Sequence, residues 1–225
     1  YTENQIAEIV KSATDPIYFI KEYMWIQHPT KGRVKFELFD YQVELINCYH
    51  ENRYSINMLG RQMGKSTCAA GYLLWYAMFV PDSTILVAAH KYTGAQEIMQ
   101  RIRYAYENCP DHIKAGVTTY NKGSLDFENG SRIVSATTTE NTGRGMSITL
   151  LYLDEFAFVR PSIAKEFWTA ITPTLSTGGK AIITSTPNSD EDQFAYIWKG
   201  ANKTEDDFGN TTEVGVNGFR AYRAH

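Results

Sequence analysis

The sequence predicts an α/β fold: a mostly parallel sheet with helices on both faces. Three observations carry that prediction. Strand-like and helix-like stretches alternate along most of the 225 residues, the pattern that builds parallel strands joined by helical crossovers. Residues 83–89, Ser-Thr-Ile-Leu-Val-Ala-Ala, form a near-continuous apolar run of strand length, as expected of a strand covered on both sides. A glycine-bearing loop at 60–64 joins a strand, 54–59, to a long apolar helix that starts near Lys65.

In order, residues 2–13 and 16–25 read as helices parted by Thr14-Asp15-Pro16, where Thr14 or Asp15 caps the second and Pro16 suits its first turn. Turn chemistry and short β-type runs fill 28–38. Asp40 caps a helix with the apolar face Val43, Leu45, Ile46 and Tyr49. Beyond the 83–89 strand a helix runs from Thr93 to Asn108, ended by Pro110, and 117–137 reads as a β-hairpin with turns at Asn121-Lys122-Gly123 and Asn129-Gly130. A polar loop, 139–147, leads to the strand 148–153. Then come a helix at 162–171, a strand at 181–184 and a helix at 192–198; from 200 onward the chain is polar, with no clear core pattern.

Composition narrows the function classes. With 22 Lys+Arg against 25 Asp+Glu the formal net charge is -3, so nucleic-acid contact must come from a local patch or another module. No run approaches the ~18 apolar residues that cross a bilayer, and no basic-then-apolar leader is seen. Cys48, Cys68 and Cys109 are scattered and odd in number, which argues against a disulfide framework and a cysteine-based zinc site. His28, His50, His90, His112 and His225 form no ligand spacing; His90 follows a strand but reads as an ordinary residue. A start at Tyr1 and a polar end at His225 suggest a piece of a longer protein.

The strongest chemical signal is Gly60-Arg61-Gln62-Met63-Gly64-Lys65-Ser66-Thr67, between a strand and a helix. Gly64 lets backbone approach phosphate oxygens, and successive N–H groups at a helix N-terminus meet their charge. Lys65 supplies a point charge to the outer phosphates, and the Ser66 hydroxyl suits Mg²⁺. The common phosphate loop has four residues between its glycines; here there are three, and Leu59 stands where the first glycine would be.

The second signal is Leu150-Leu151-Tyr152-Leu153-Asp154-Glu155, an apolar strand ending in two acids. Ligands of open parallel sheets bind at the carboxyl ends of strands, so these acids should face the loop. Asp154 is the metal holder, and Glu155 the base that orients and deprotonates the attacking water. The strand between the two motifs points to the RecA/ASCE-like branch of P-loop NTPases. Thr184, Ser185 and Thr186, ending the next strand, are placed to touch the γ-phosphate or the lytic water. Arg61 and Arg144 are candidates to neutralise transition-state charge. Tyr41 and Gln42 are candidates to stack on and hydrogen-bond an adenine, although such a pair is more often plain helix surface.

Together these residues resemble the ATPase domain of the large terminase subunit, the genome-packaging motor of tailed bacteriophages, over nearly the whole chain. Phe39-Asp40-Tyr41-Gln42 is similar to that family's adenine-binding motif. Gly60 to Ser66 resembles its shortened phosphate loop, Leu153 to Phe158 its acidic motif, and Thr184-Ser185-Thr186-Pro187-Asn188 its coupling motif. The resemblance implies an extension at 1–40, a P-loop core at 41–200 and the start of a linker or lid at 201–225, with a C-terminal nuclease domain absent. It implies ATP as substrate, Mg²⁺, translocation of double-stranded viral DNA, and partnership with a portal protein and a small terminase subunit in a ring on the procapsid portal, in the host cytoplasm, with no membrane and no place in the mature virion. Either Arg61 within one subunit or Arg144 from a neighbour serves as arginine finger. A superfamily-two helicase would need a second motor domain and the longer glycine spacing. A nucleotide-gated module that never hydrolyses is the other alternative, disfavoured by a carboxylate at 155.

Overall fold

The computed structural model describes residues 1–224; His225 lies outside the described residues. In chain order the elements are α1 (Glu3–Thr14), α2 (Pro16–Tyr23), β1 (Trp25–His28), β2 (Gly32–Lys35), α3 (Asp40–Glu51), β3 (Tyr54–Met58), α4 (Lys65–Phe79), β4 (Thr84–Ala89), α5 (Tyr92–Glu107), β5 (Val117–Tyr120), β6 (Ser124–Phe127), β7 (Arg132–Thr137), β8 (Leu150–Asp154), α6 (Pro161–Leu175), β9 (Lys180–Ser185), α7 (Gln193–Asn202) and β10 (Phe219–Arg223). Eight strands form one sheet in the order β10-β3-β9-β8-β4-β7-β6-β5, parallel throughout except where β6 runs against β7 and β5. The expected α/β architecture is therefore present.

Alternation along the central strands divides the core between two faces. Ile85 and Val87, Leu150 and Tyr152, and Ile182 join a cluster with Phe19, Leu45, Tyr49 and the apolar α4. Their neighbours Leu86, Ala88, Leu151, Leu153, Ala181 and Ile183 join Phe167, Ile171, Phe194 and Ile197 of α6 and α7. Successive side chains of a strand point to opposite faces, so each central strand needs apolar residues at every position. Residues 1–40 share the first cluster through Phe19, Ile20, Met24 and Phe36. The Trp75 indole N–H donates to the Ser12 carbonyl at 2.7 Å, fastening α1 to α4.

Several boundaries differ from the sequence reading. The second helix stops at Tyr23, because Trp25 enters a two-stranded ribbon whose pairs are Trp25–Lys35, Ile26–Val34 and Gln27–Arg33. Helix α6 runs to Leu175, with Pro173 in its last turn, and α7 continues to Asn202. The 117–137 segment is no isolated hairpin: β7 pairs in parallel with β4, Thr84 opposite Arg132, so the meander extends the main sheet. The polar tail contains a strand after all. Phe219–Arg223 pairs in parallel with β3 at the sheet edge, where Arg220 and Arg223 suit an edge exposed to water.

All three cysteines are buried and free. Burial pushes the Cys48 thiol up to about 11 and those of Cys68 and Cys109 up to about 12. Thiolate is the reactive form, so no cysteine should react with an aromatic disulfide reagent within minutes at pH 8. Three should react in denaturant; a fast native thiol would contradict this packing.

Candidate functional site

The sheet register places the chemistry. Asn57 of β3, Thr184 of β9, Asp154 of β8 and Ala89 of β4 stand in one row across four neighbouring strands, so the loops after those strands open on the same end of the sheet. Leu59 N donates to the Ser185 carbonyl at 3.2 Å, tying the exit of β3 to that of β9.

From Leu59 the chain turns through Gln62 and Gly64, both left-handed (φ 61° and 73°), before α4 begins. The first helical hydrogen bond runs from Cys68 N to Gly64 O at 2.9 Å, which leaves the amides of Lys65, Ser66 and Thr67 without intrahelical acceptors. These amides and the positive end of α4 form an anion nest. Met63 helps hold its shape, its Sδ accepting from Gly60 N at 3.1 Å. A Cβ on Gly64 would lie 2.5 Å from Gln42 Nε2, so the position excludes side chains on both conformational and steric grounds. Gly64→Ala should cost about 1–3 kcal/mol and lower Tm by about 2–4 °C per kcal/mol. ADP titration of the folded variant should show most of the affinity lost; unaltered affinity would contradict the role of this turn.

Across the cavity, Lys65 Nζ lies 3.1 Å from Asp154 Oδ1 and forms a closer ion pair with Glu155 Oε1. Asp154 is buried, and desolvation raises its carboxyl above the usual carboxylate range despite the Lys65 charge beside it. Thr184 Oγ1 steadies it, 3.3 Å from Asp154 Oδ1 and 3.0 Å from the Tyr152 hydroxyl. Glu155 takes a left-handed backbone (φ 52°) just past the strand end, a strained conformation for a residue with a Cβ. Thr186 Oγ1 donates to Glu155 Oε2 at 3.1 Å, so each carboxylate oxygen has its own partner.

Two adjoining recesses result. One of about 520 Å³ is lined by all of 60–67 together with His90, Lys91, Arg101, Glu155, Phe158 and Thr186. Arg61, Lys65, Lys91 and Arg101 line it beside Glu155; Lys65 is shared with Asp154 and Arg101 pairs with Glu97 at 2.8 Å, and the remaining excess of positive charge suits a polyphosphate. The second, about 340 Å³, is bounded by Lys65, Ser66, Asp154, Glu155 and the start of α5. Ser66 hydroxyl and Asp154 carboxylate are hard oxygen donors that fit Mg²⁺. That ion is commonly held by one or two protein oxygens plus phosphates and water. Among the described residues no cluster of three His, Cys, Asp or Glu forms a complete cage for any metal.

The structure sorts the remaining candidates. Arg61 is exposed on the cavity wall, whereas Arg144 is exposed in the loop before β8 and lines neither recess. Of the three hydroxyls ending β9, only Thr186 reaches the cavity. Thr184 is fully buried behind Asp154, and Ser185 accepts from Ala157 N at 3.2 Å, bracing the turn after Glu155. Gln42 is 3% exposed, with both ends of its amide occupied: Oε1 accepts from Phe39 N (2.9 Å) and Nε2 donates to Met63 O (3.1 Å). The Tyr41 hydroxyl donates to the same Met63 carbonyl at 3.0 Å, so this pair braces the phosphate loop from behind. His90, read as ordinary, lines both recesses, as does Lys91. Phe158, the last residue of the acidic motif, and Arg101, from an element the motifs do not include, line the larger recess. The strand-end rule applied to β4 flags His90 and Lys91; nothing local flags Arg101.

Known proteins share this arrangement of strands and helices. The large terminase of bacteriophage HK97 superposes with TM-score 0.75 at 19% identity, over 94% of this chain and 43% of that one. The large terminase ATPase domain of Thermus phage P74-26 gives 0.64 at 21% identity, over 84% and 81%. A large terminase from another thermophilic bacteriophage, in complex with ADP, gives 0.60 at 11% identity, over 83% and 45%. This chain thus spans less than half of the HK97 protein and of the ADP-bound one. At these identities the likeness concerns the fold. The sequence model of the family described as terminase large subunit, T4likevirus-type, N-terminal matches residues 56–222, from β3 through most of β10. The chain therefore belongs to the T4likevirus-type terminase large subunits and covers their N-terminal part.

Proposed function

We propose that these residues form the ATP-hydrolysing motor domain of a phage packaging enzyme, working with Mg²⁺ to drive double-stranded viral DNA into a procapsid. The observation that carries this reading is the convergence of Lys65, Asp154 and Glu155 on one cavity, 3.1 Å separating the lysine from the aspartate. ADP in the similar thermophilic-phage terminase supports nucleotide as the ligand.

In the arrangement seen here Lys65 holds both acids, so the base is masked. Phosphate oxygens entering the nest compete for Lys65 and free Glu155 Oε1, while Thr186 keeps the carboxylate oriented through Oε2. Glu155 then takes a proton from water as the water oxygen bonds to the γ-phosphorus and the bridge to the β-phosphate breaks. Bound at Ser66 and Asp154, Mg²⁺ would add charge neutralisation at the phosphates. Arg61 is the candidate finger within the subunit. Arg144, away from its own cavity, is left the role of reaching a neighbour's site in a ring on the portal.

By the same reading the parent protein works with a portal protein and a small terminase subunit in the host cytoplasm, its nuclease lying outside these residues. No helix among the described residues is long and apolar enough to cross a membrane. Phosphate release from ATP tests the core of the proposal. EDTA should reduce release by about 10²-fold or more, as expected when a metal supplies several kcal/mol of charge stabilisation, and excess Mg²⁺ should restore it. A chain that binds no ADP at millimolar concentration would overturn the reading.

A further inference from the structure

A third recess, about 240 Å³, lies between the β1–β2 ribbon, α4 and the middle of α5, where Glu97, Arg101 and Tyr104 form one stripe of α5 along it. Thr67 and Arg101 also line the phosphate cavity, so Arg101 stands at the boundary between the two spaces, at the Thr67 end of the anion nest. We infer that Arg101 binds the phosphate chain of the nucleotide and gives up Glu97 to do so; the inference rests on the nucleotide reading above.

The backbone beneath Arg101 is fixed, because Ile98, Met99, Ile102 and Ala105 of α5 are buried in the same core cluster as α4. Its guanidinium is underused. Five N–H donors are available, and the close acid is Glu97, whose Oε1 lies 2.8 Å from Nη1. That distance is short, yet Nη1 is buried and makes no aligned hydrogen bond among the described residues. A buried donor without an aligned acceptor is costly, and an (i, i+4) pair whose acid is exposed holds it weakly. Phosphate oxygens at the amides of Lys65 to Thr67 supply the missing acceptors, and the planar fork suits them. Glu97 is the competitor: it occupies the guanidinium until phosphate arrives, as Glu155 occupies Lys65. In loops of this kind the backbone cradles the α- and β-phosphates. A contact at the Thr67 end is therefore one that ADP already makes, and it acts on affinity rather than on the chemical step.

Calorimetric titration with ADP and steady-state phosphate release from ATP test this role. Arg101→Ala should weaken ADP about tenfold or more, the loss expected of a charge-assisted hydrogen bond. It should raise KM for ATP by a similar factor while kcat changes by less than about threefold. Arg101→Lys keeps the charge without the fork and should fall between wild type and alanine. Glu97→Gln removes the competitor and should tighten ADP about twofold, the worth of an exposed (i, i+4) pair. These opposite signs decide the matter, since a pair that only braced α5 would shift both variants the same way. Unchanged ADP affinity in Arg101→Ala, or an equal loss in Glu97→Gln, overturns the inference. So does a fall in kcat at unchanged KM, which makes Arg101 a transition-state group instead. A wild-type chain that binds no ADP defeats the nucleotide reading and this inference with it, whereas failure of the variants alone leaves that reading standing.

Discussion

Glu155→Gln is expected to bind ATP as well as the wild-type chain, or more tightly, and to hydrolyse it about 10²–10⁴-fold more slowly. That loss corresponds to about 3–5 kcal/mol of barrier. The substitution preserves volume and keeps an oxygen for the Thr186 hydroxyl, now 3.1 Å from Oε2. It removes the negative charge paired with Lys65, so the lysine meets phosphate without first leaving Glu155, which explains the equal or tighter binding. What glutamine cannot do is accept a proton from water. Single-turnover phosphate release, with ADP affinity measured beside it, checks the prediction; hydrolysis at the native rate would remove Glu155 from the base role.

The parts of this site that were legible in the sequence are local in the chain. The loop at 60–67 carries its chemistry in eight consecutive residues, and the apolar run 150–153 announces that Asp154 and Glu155 end a strand. The topology that joins them was legible only as a class, because strand order depends on pairings such as Asp154 with Thr184 and Ala89 with Asp154, set by packing across the sheet. The same nonlocality hid Arg101: it lies well inside α5 and reaches the cavity through the packing of α5 against α4. Strand β10 escaped for another reason. An edge strand of five residues with two arginines has no apolar run to betray it. Tyr41 and Gln42 were singled out by their resemblance to a motif, but their geometry follows from the left-handed turn at Gly64, which brings the Met63 carbonyl within reach of both side chains.

Lys65→Ala should abolish measurable ADP affinity, and it should also change how stability depends on pH. Lys65 is the cation shared by Asp154 and Glu155. Without it the nest loses its point charge, and two adjacent carboxylates stand with no neutralising partner between them. Burial already raises the Asp154 carboxyl, and Lys65 is the largest influence opposing that rise. With the lysine gone, both burial and Glu155 push the carboxyl further up. A raised carboxyl binds its proton more tightly in the folded chain than in the unfolded one. Stability is therefore complete below the unfolded value of about 4 and declines as pH rises through the folded value. The variant should lose more stability than the wild type as pH rises from the unfolded value towards neutrality, so the gap in Tm between the two should widen with pH. Scanning calorimetry across that range measures it directly. A gap independent of pH would mean that the Lys65–Asp154 pair does not couple to folding, even if nucleotide binding is lost.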